Sequence, residues 1–369
     1  MAWETPTLAD LVTRQQRALA ANLPGADATL ARANLEPVSK VLAGGLYELH
    51  LAQAEAIAQR FVLTCRASFL DRHGAEMKPP VPRKPAASAR GLVDIVALGP
   101  ITLATGAVLA RADGQSFTVD AGIVLDAAGS SVVAVTAQTP GVAGNAAPFA
   151  VLNAASGLTG TASFTVAAGG LGGGADPEQD APYRARLLFA KAFPEHAGAP
   201  ADWLRYTLAV PGVTRAFLDP LALGRGTVVV YPFFDEARAN GTPLESDRLA
   251  VEQALAIAGP GAGLGVVRIA TPVTVDVEVT GLSPATPEVR NAVVAELAFT
   301  FARQSRVAGL SDPHPSMPYL ASAESFSQSW IWQAVANASG EQRHSIVTPA
   351  ADIALTEGQT AVLGTVTFS

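Results

Sequence analysis

The stretch DPEQDAPYRARLLFA, residues 176–190, marks an abrupt change in the character of the chain. Before it, from Ala127 to Ala175, there is no Asp, Glu, Lys, Arg or His. A dense polar cluster then follows: Asp176, Glu178, Asp180, Tyr183, Arg184 and Arg186. Such a cluster is either a reactive site or the start of a helix that must be held in one orientation.

The order of residues in this cluster is typical of a helix N-terminus. Asp176-Pro177 predicts a cap followed by a first-turn proline, and the carboxylates of Glu178 and Asp180 suit the positive end of a helix. Tyr183 and Leu187 share one helix face. The two arginines project to different sides, where they pair locally or bridge to acids on another domain or chain. Since no nucleophile or base is positioned here, we expect no catalytic role.

Residues 91–170 predict a β-rich domain. Short Val, Ile and Thr runs are separated by turn residues, and Asp113-Gly114 between two such runs predicts a hairpin. Phe117 and Val119 alternate with polar residues, as in a half-buried strand. The uncharged tract indicates either a compact β domain partly covered by its neighbours or a β domain rich in Gly, Ala and Thr with neutral loops.

Residues 1–76 predict helices, interrupted by LPGAD at 23–27. A long helix is expected to carry an apolar seam, because apolar residues recur every three or four positions. The seam comprises Leu35, Val38, Leu42, Leu49, Ala56 and Leu63. It packs either within its own domain or on a helix of another chain.

The segment MKPPVPRKPAASAR, residues 77–90, predicts an extended strap, because proline fixes φ and lacks a backbone donor. We expect this strap to mark a domain boundary. The hypothesis that rigid domains rotate against each other places hinges at 81–90 and 169–176.

Residues 171–271 and 272–369 predict two α/β modules with a similar order of helix, turn, strand and strand. Trp203 and Trp332 each lie in the helix before the turn and are predicted to form part of a module core. A single strand is predicted at 266–280. The expected fold is thus α+β and multidomain, with an N-terminal helical segment, a β-rich domain and two α/β modules.

Composition and motifs argue against several classes of function. A net charge of −7 disfavours nucleic-acid binding, and no stretch predicts a membrane helix or a secretory signal. The single cysteine, Cys65, excludes an internal disulfide framework. Histidine spacing and the glycine-rich segments lack the context of metal or nucleotide sites. We therefore expect a soluble protein made in the cytoplasm, with no catalytic, cofactor-binding or metal-binding residues and no cofactor.

Several motifs in chain order resemble the baseplate J-like family, the wedge proteins of contractile phage tails and related particles. LPGAD lies between the N-terminal helices, and FLDRHGAE leads through the strap into the β domain. PGVAGNAAP follows a strand, and GGADPEQDAPYRARL is followed by ADWLRYTLAVPGV. GVVRIATPVTVDVEV comes next, whereas the last sixty or so residues match less distinctly.

The resemblance implies a structural protein of the virion tail baseplate, assembled in the host cytoplasm and without enzymatic activity. Such proteins form dimers within six-fold wedges, bundle their N-terminal helices with another wedge protein and link wedges into a ring. Contacts with the central hub or spike and with tail fibres are indirect. The low charge and the apolar seam agree with large permanent interfaces.

Two alternatives remain at this point. A β-rich adhesin or receptor-binding tail protein would use residues 91–170 as a sugar-binding module, although this segment has few aromatic residues. An enzyme with a site that no motif reveals is the second alternative.

Overall fold

The computed structural model describes these residues of the chain: 5–23, 25, 34–196, 198–260, 263–322 and 325–369. By contacts, the chain divides into two compact units, Met1–Pro82 and Arg83–Ser369. Most of the LPGAD segment lies outside the described residues. The division falls within the predicted Pro-rich strap, so that residues from Arg83 onward belong to the second unit.

The first unit contains three helices, α1 (Leu8–Asn22), α2 (Leu35–Ala58) and α3 (Ser68–Glu76). A capping box starts α1: Thr7 Oγ1 accepts from Asp10 N at 3.2 Å, and the Asp10 carboxylate accepts from Thr7 N at 3.3 Å. Helices α1 and α2 pack together. Leu63, predicted as the last residue of the helical seam, lies outside α2, because the helix ends at Ala58 and turns follow.

A barrel forms the first part of the second unit. Its strands are β1 (Arg90–Ala97), β2 (Ile101–Ala110), β3 (Ser116–Val119), β4 (Ile123–Leu125), β5 (Gly129–Ala137), β6 (Val151–Thr159) and β7 (Ala162–Gly172). The pairing order is β3-β5-β1-β7-β6-β2, and β2 also pairs with β3, which closes a six-stranded barrel. Strand β4 pairs with the other half of β2.

Alternating side chains fill this barrel, as the sequence predicts for half-buried strands. Val93 and Ile95 of β1, Phe117 of β3 and Phe164 of β7 are almost fully buried. Arg111 N donates to Gln115 O at 2.8 Å across the Asp113-Gly114 turn, so the predicted hairpin is confirmed.

The first α/β module follows the barrel. It contains α4 (Asp180–Ala192), α5 (Pro200–Ala209), β8 (Arg215–Pro220), β9 (Thr227–Phe233), α6 (Glu245–Ala258) and β10 (Leu264–Val267). Its sheet has the order β10-β9-β8, with β8 antiparallel and β10 parallel to β9. Trp203 on α5 is 2% exposed and packs in the core between the helices and this sheet.

The second module contains β11 (Thr271–Ser283), α7 (Pro287–Gln304), β12 (Ser325–Phe326), α8 (Gln328–Asn337), β13 (Arg343–Thr348), β14 (Ile353–Ala354) and β15 (Gln359–Phe368). Its main sheet has the order β13-β11-β15, with β13 antiparallel and β15 parallel to β11. The two modules share the order helix–strand–strand, but their pairing differs: β8 pairs directly with β9, whereas β11 lies between β13 and β15.

Two sequence predictions for the modules are wrong. The strand predicted at 266–280 is split, because Arg268 N bonds to Val230 O in the first sheet at 2.9 Å, while Thr271 N bonds to Gly358 O beside the second at 2.8 Å. Trp332 is 37% exposed and lies against the His344 ring, since α8 directs Ile331 and Val335 into the core instead.

Candidate functional site

The polar cluster lies within the second unit, where the part of the strap from Arg83 onward meets the barrel and the first module. Helix α4 begins at Asp180 with Gln179 as its N-cap, so the predicted cap at Asp176-Pro177 is wrong. Asp176 instead reaches the barrel, where its Oδ1 accepts from Val142 N at 3.1 Å. The turn before α4 thus anchors the helix to the barrel.

Glu178 is the centre of this junction. Its Oε1 accepts from Arg186 Nε at 2.7 Å, and its Oε2 accepts from Arg186 Nη2 at 2.7 Å and from Lys84 N at 3.0 Å. The side chains of Glu178 and Arg186 are only 2% and 11% exposed. This two-point ion pair joins the strap to α4, and its burial makes the loss of either partner costly.

Arg83 makes a second link from the strap to α4. Its Nη1 donates to Glu178 O at 2.7 Å and its Nη2 donates to Asp180 Oδ1 at 2.8 Å. The Arg83 and Arg186 guanidinium carbons lie 4.7 and 5.5 Å from the centre of the buried Tyr183 ring. Two cation–π contacts therefore hold this ring and, with it, the first turn of α4.

Lys84 connects the strap to the first module. Its Nζ donates to Val213 O at 2.8 Å, in the turn before β8. Burial lowers the pKa of the ammonium to about 8, despite the opposing attraction of the Glu178 carboxylate. The junction therefore contains a lysine that is partly neutral at mildly alkaline pH.

Backbone pairing closes the strap onto the end of the barrel. Ala87 N donates to Ala175 O at 2.9 Å, Ala175 N donates to Ala87 O at 3.1 Å, and Gly141 N donates to Ala87 O at 3.0 Å. These bonds contradict the hinge hypothesis for 169–176 and for the part of 81–90 that begins at Arg83, because both segments are bonded to each other inside one unit.

A second buried carboxylate joins the barrel to the module. Asp247 on α6 accepts from Arg238 Nε at 2.7 Å, from Leu244 N at 2.9 Å and from Gly173 N at 2.8 Å. Arg238 Nη2 also donates to Leu171 O of β7 at 3.1 Å. The end of β7 is therefore tied to α6 by a fully satisfied buried pair.

Sequence analysis found only part of this junction. It singled out six residues, of which Arg184 is half-buried on α4: Asp176, Glu178, Asp180, Tyr183, Arg184 and Arg186. It did not connect the cluster with Arg83 and Lys84, about ninety residues earlier, or with Asp247. The basic pair in the strap was the available signal, but spacing alone does not reveal such distant partners.

The predicted seam lies on a different surface, in the first unit. Val38, Leu42 and Leu49 of α2 are 45%, 48% and 64% exposed. Leu35 is half-buried and Ala56 is exposed. Because α2 instead buries Ser39 and Ala43, the seam is a largely uncovered apolar stripe within the described residues.

Neither a metal site nor a membrane-spanning helix is found in the part of the chain that the structure describes. There, His, Cys, Asp and Glu form no group suited to holding a metal ion. None of the described helices combines the length and apolar character needed to cross a membrane.

Removing the Glu178 carboxylate should destabilise the second unit. We expect Glu178→Ala to lower its free energy of unfolding by about 3–5 kcal/mol, because the buried two-point ion pair with Arg186 is lost. Asp176→Ala, which removes one exposed hydrogen bond, should cost about 1 kcal/mol. Urea unfolding measures both changes, and equal effects would contradict the central position of Glu178.

Lys84 should make stability depend on pH. Its folded-state pKa of about 8 lies below the ordinary value of 10.5, so the unfolded chain binds this proton more tightly. We therefore expect the stability of the wild type, relative to Lys84→Met, to rise as pH increases between about 8 and 10.5. Unfolding of both proteins across this range measures the difference, and a flat difference would show that Lys84 titrates normally.

Two family models match the second unit. The Baseplate J-like protein barrel domain matches residues 92–173, and the Baseplate J-like central domain matches residues 195–281. The first match coincides with the barrel, and the second covers α5 to β11.

Similar proteins cover more of the chain. Baseplate protein gp47 of Escherichia phage Mu is 30% identical over 247 residues, which is 67% of this chain and 68% of the phage protein. Mu-like prophage FluMu protein gp47 of Haemophilus influenzae is 29% identical over 99% of both chains. Putative protein JayE of Escherichia coli K12 is 30% identical over 64% of this chain and 84% of its own length.

Among solved structures, a chain of the anti-feeding prophage baseplate aligns with 98% of this chain and all of its own, at 10% identity and a TM-score of 0.39. That score is too low to support a conclusion about shared detail. The sequence similarity to the Mu protein, together with the barrel and central-domain matches, shows the family without the structural comparison. The chain belongs to the baseplate J-like family.

Proposed function

We propose that this protein is a structural wedge subunit of the baseplate of a contractile tail or related injection particle. The observation that carries the proposal is similarity along 99% of the chain to a Mu-like gp47, together with 30% identity to a protein named as a baseplate protein of phage Mu. In this role it associates with itself and with other wedge proteins, and wedges join into a ring around the central spike.

The proposal also specifies where the protein is located and what its role is. The subunit resides in the virion tail baseplate, is assembled in the host cytoplasm and reaches the hub and tail fibres through other proteins. It catalyses no reaction, because its task is to hold and transmit contacts during contraction. The buried junction supports movement of strap, barrel and first module as one rigid body, since these three parts are tied together.

The seam on α2 supplies a surface for a wedge partner. Leu35, Leu42, Leu49 and Ala56 follow one another at seven-residue spacing, which is the repeat of a helix packed against another helix. Three seam side chains are about half exposed or more, although exposed leucine and valine stripes are costly in water. We propose that this stripe is covered by a helix of another wedge protein.

The barrel gives little support to the alternative role as an adhesin. Sugar-binding sites generally stack rings on exposed aromatic side chains. In residues 91–170, all of which the structure describes, Phe117 and Phe164 are buried and Phe149 alone is exposed. A single exposed ring is a poor basis for carbohydrate recognition.

A particle-assembly experiment tests the proposal. We expect the full chain carrying Leu42→Asp and Leu49→Asp to fold but to yield no complete baseplates, because two charges interrupt the stripe. The matched control is Leu51→Asp: Leu51 is 46% exposed on the same helix, about 200° around the axis from Leu49.

Electron microscopy of particles, with circular dichroism of the purified variants, provides the measurement. Normal numbers of tails from the double variant would refute the seam as a partner surface. Particles that assemble normally without any copy of the protein would refute the wedge function itself.

A further inference from the structure

The outer wall of the barrel has few of the charged side chains that solvent-facing strands usually carry. Strands β5, β6 and β7 all come from the stretch Ala127–Ala175, which contains no Asp, Glu, Lys, Arg or His. Alternate residues of these strands fill the barrel, so the residues between them face outward. The lack of charge therefore affects the outside of the barrel as well as its core.

Backbone register places outward residues of four adjacent strands side by side. Val132 of β5 is opposite Asp94 of β1, which is itself opposite Thr165 of β7. Thr165 is in turn opposite Val151 of β6. Because neighbouring strands lie about 4.8 Å apart, this row spans about 15 Å. The surface around it, here called the barrel patch, has five apolar side chains that are about half exposed or more: Leu92, Val96, Val132, Phe149 and Val151.

Phe149 has a backbone conformation that bulky residues rarely adopt. Its φ is 64°, in the left-handed region. Hydrogen bonds fix the neighbouring backbone, since Phe149 N donates to Val166 O at 2.8 Å and Val166 N donates to Ala150 O at 2.9 Å. Phe149 is nevertheless 68% exposed, so the strain is not offset by burial of its ring within the chain. Strain of this kind persists at functional sites, and exposed aromatic rings are common anchors of protein interfaces.

A groove beside the barrel patch adds a concave surface. It has a volume of about 720 Å³ and lies between the barrel and α6, with Leu92 and Ala134 on the barrel side and Leu249 and Ala250 on the helix. Most of its lining is apolar or glycine, and its charged members, all exposed, are Arg90, Asp120 and Glu245. A protruding ring next to a groove provides the relief on which shape complementarity depends.

Asp94 brings a charge to the centre of the barrel patch. It lies between Leu92 and Val96 along β1 and opposite Val132 and Thr165 on the neighbouring strands. Its side chain is half-buried and makes no hydrogen bond or ion pair with any residue that the structure describes. A partner that covers the patch removes water from this carboxylate, which is costly unless the partner supplies a positive group.

We infer that the barrel patch docks a different baseplate polypeptide, one that presents a Lys or Arg side chain within an apolar surface. The central charge favours a different polypeptide over a second copy. A two-fold contact that covers the patch would set the Asp94 carboxylates of both copies against each other. The inference rests on the proposed function and assigns to the barrel a contact separate from the stripe on α2.

Hydroxyl-radical footprinting of Phe149 tests whether the patch is covered. We expect Phe149 to be oxidised at least tenfold more slowly in tails isolated from producing cells than in the purified full chain. Unchanged oxidation in tails that contain the protein would overturn the inference and leave the wedge function intact. Oxidation of the purified chain that slows as its concentration rises would also overturn it, by identifying a second copy as the occupant.

Photo-crosslinking from the patch identifies the occupant. With p-benzoylphenylalanine in place of Val132, tails should yield a product that contains peptides of a different polypeptide. A product that contains only peptides of this chain would contradict the inference.

Variants separate contact from folding. Phe149→Asn removes the ring, and because asparagine adopts positive φ more readily than phenylalanine, the free energy of unfolding should not fall. Val151→Asp places a charge in the patch. The matched control is Val124→Asp, since Val124 is 65% exposed on β4, outside the patch. Asp94→Lys sets like charges together when the partner brings its basic group.

Electron microscopy of tails and urea unfolding of the purified variants measure the outcomes. We expect Phe149→Asn, Val151→Asp and Asp94→Lys each to lower the number of complete tails at least tenfold, and Val124→Asp to leave it unchanged. Normal numbers of tails from Phe149→Asn and Val151→Asp would refute the patch as a docking surface. Normal numbers from Asp94→Lys would refute a basic partner.

Discussion

Two buried carboxylate–guanidinium pairs are the constraint on which the second unit depends. Glu178 with Arg186 ties the strap to α4, and Asp247 with Arg238 ties the end of β7 to α6. Each carboxylate also accepts a backbone N–H from a segment remote in sequence. The Glu178 pair is therefore satisfied only when strap and module are assembled, and the Asp247 pair only when barrel and module are assembled. A buried charge is expensive to leave unpaired, so partial assemblies are penalised and one arrangement is selected.

The features recoverable from the sequence were those determined by near neighbours. Alternation around Phe117 and the Asp113-Gly114 turn indicated the barrel hairpin, and helical periodicity indicated α2. The errors arose where contacts between residues far apart in the sequence determine the local structure. The segment 266–280 has the character of one strand, yet its two halves bond to different sheets. Asp176 has the chemistry of a cap, but the barrel amide of Val142 competes for it. Trp332 has the hydrophobicity of a core residue, but α8 buries Ile331 and Val335 instead. The hydrogen bond from Arg83 to Asp180 joins residues ninety-seven positions apart, and a local sequence pattern cannot predict a contact of that separation.

The low charge content of the chain has a structural counterpart in the uncovered apolar stripe on α2 in the first unit. This stripe is built on a regular helix, which holds its side chains at fixed spacing, and it does not include the polar junction. The residues that tie the second unit together therefore differ from those proposed to contact another subunit. Polar groups are buried where rigidity is needed, and apolar groups are exposed where association is proposed.

The central claim is that strap, barrel and first module open as one cooperative body, and native-state hydrogen exchange tests it most directly. The account predicts that slowly exchanging amides of β1 and β7 in the barrel and of α6 in the module report the same opening free energy. In Asp247→Ala, these free energies should fall together, by about 3–5 kcal/mol, since Arg238 loses its counter-ion. Barrel amides that keep their protection while those of α6 lose it would contradict the account, because the two parts would then be independent domains in mere contact.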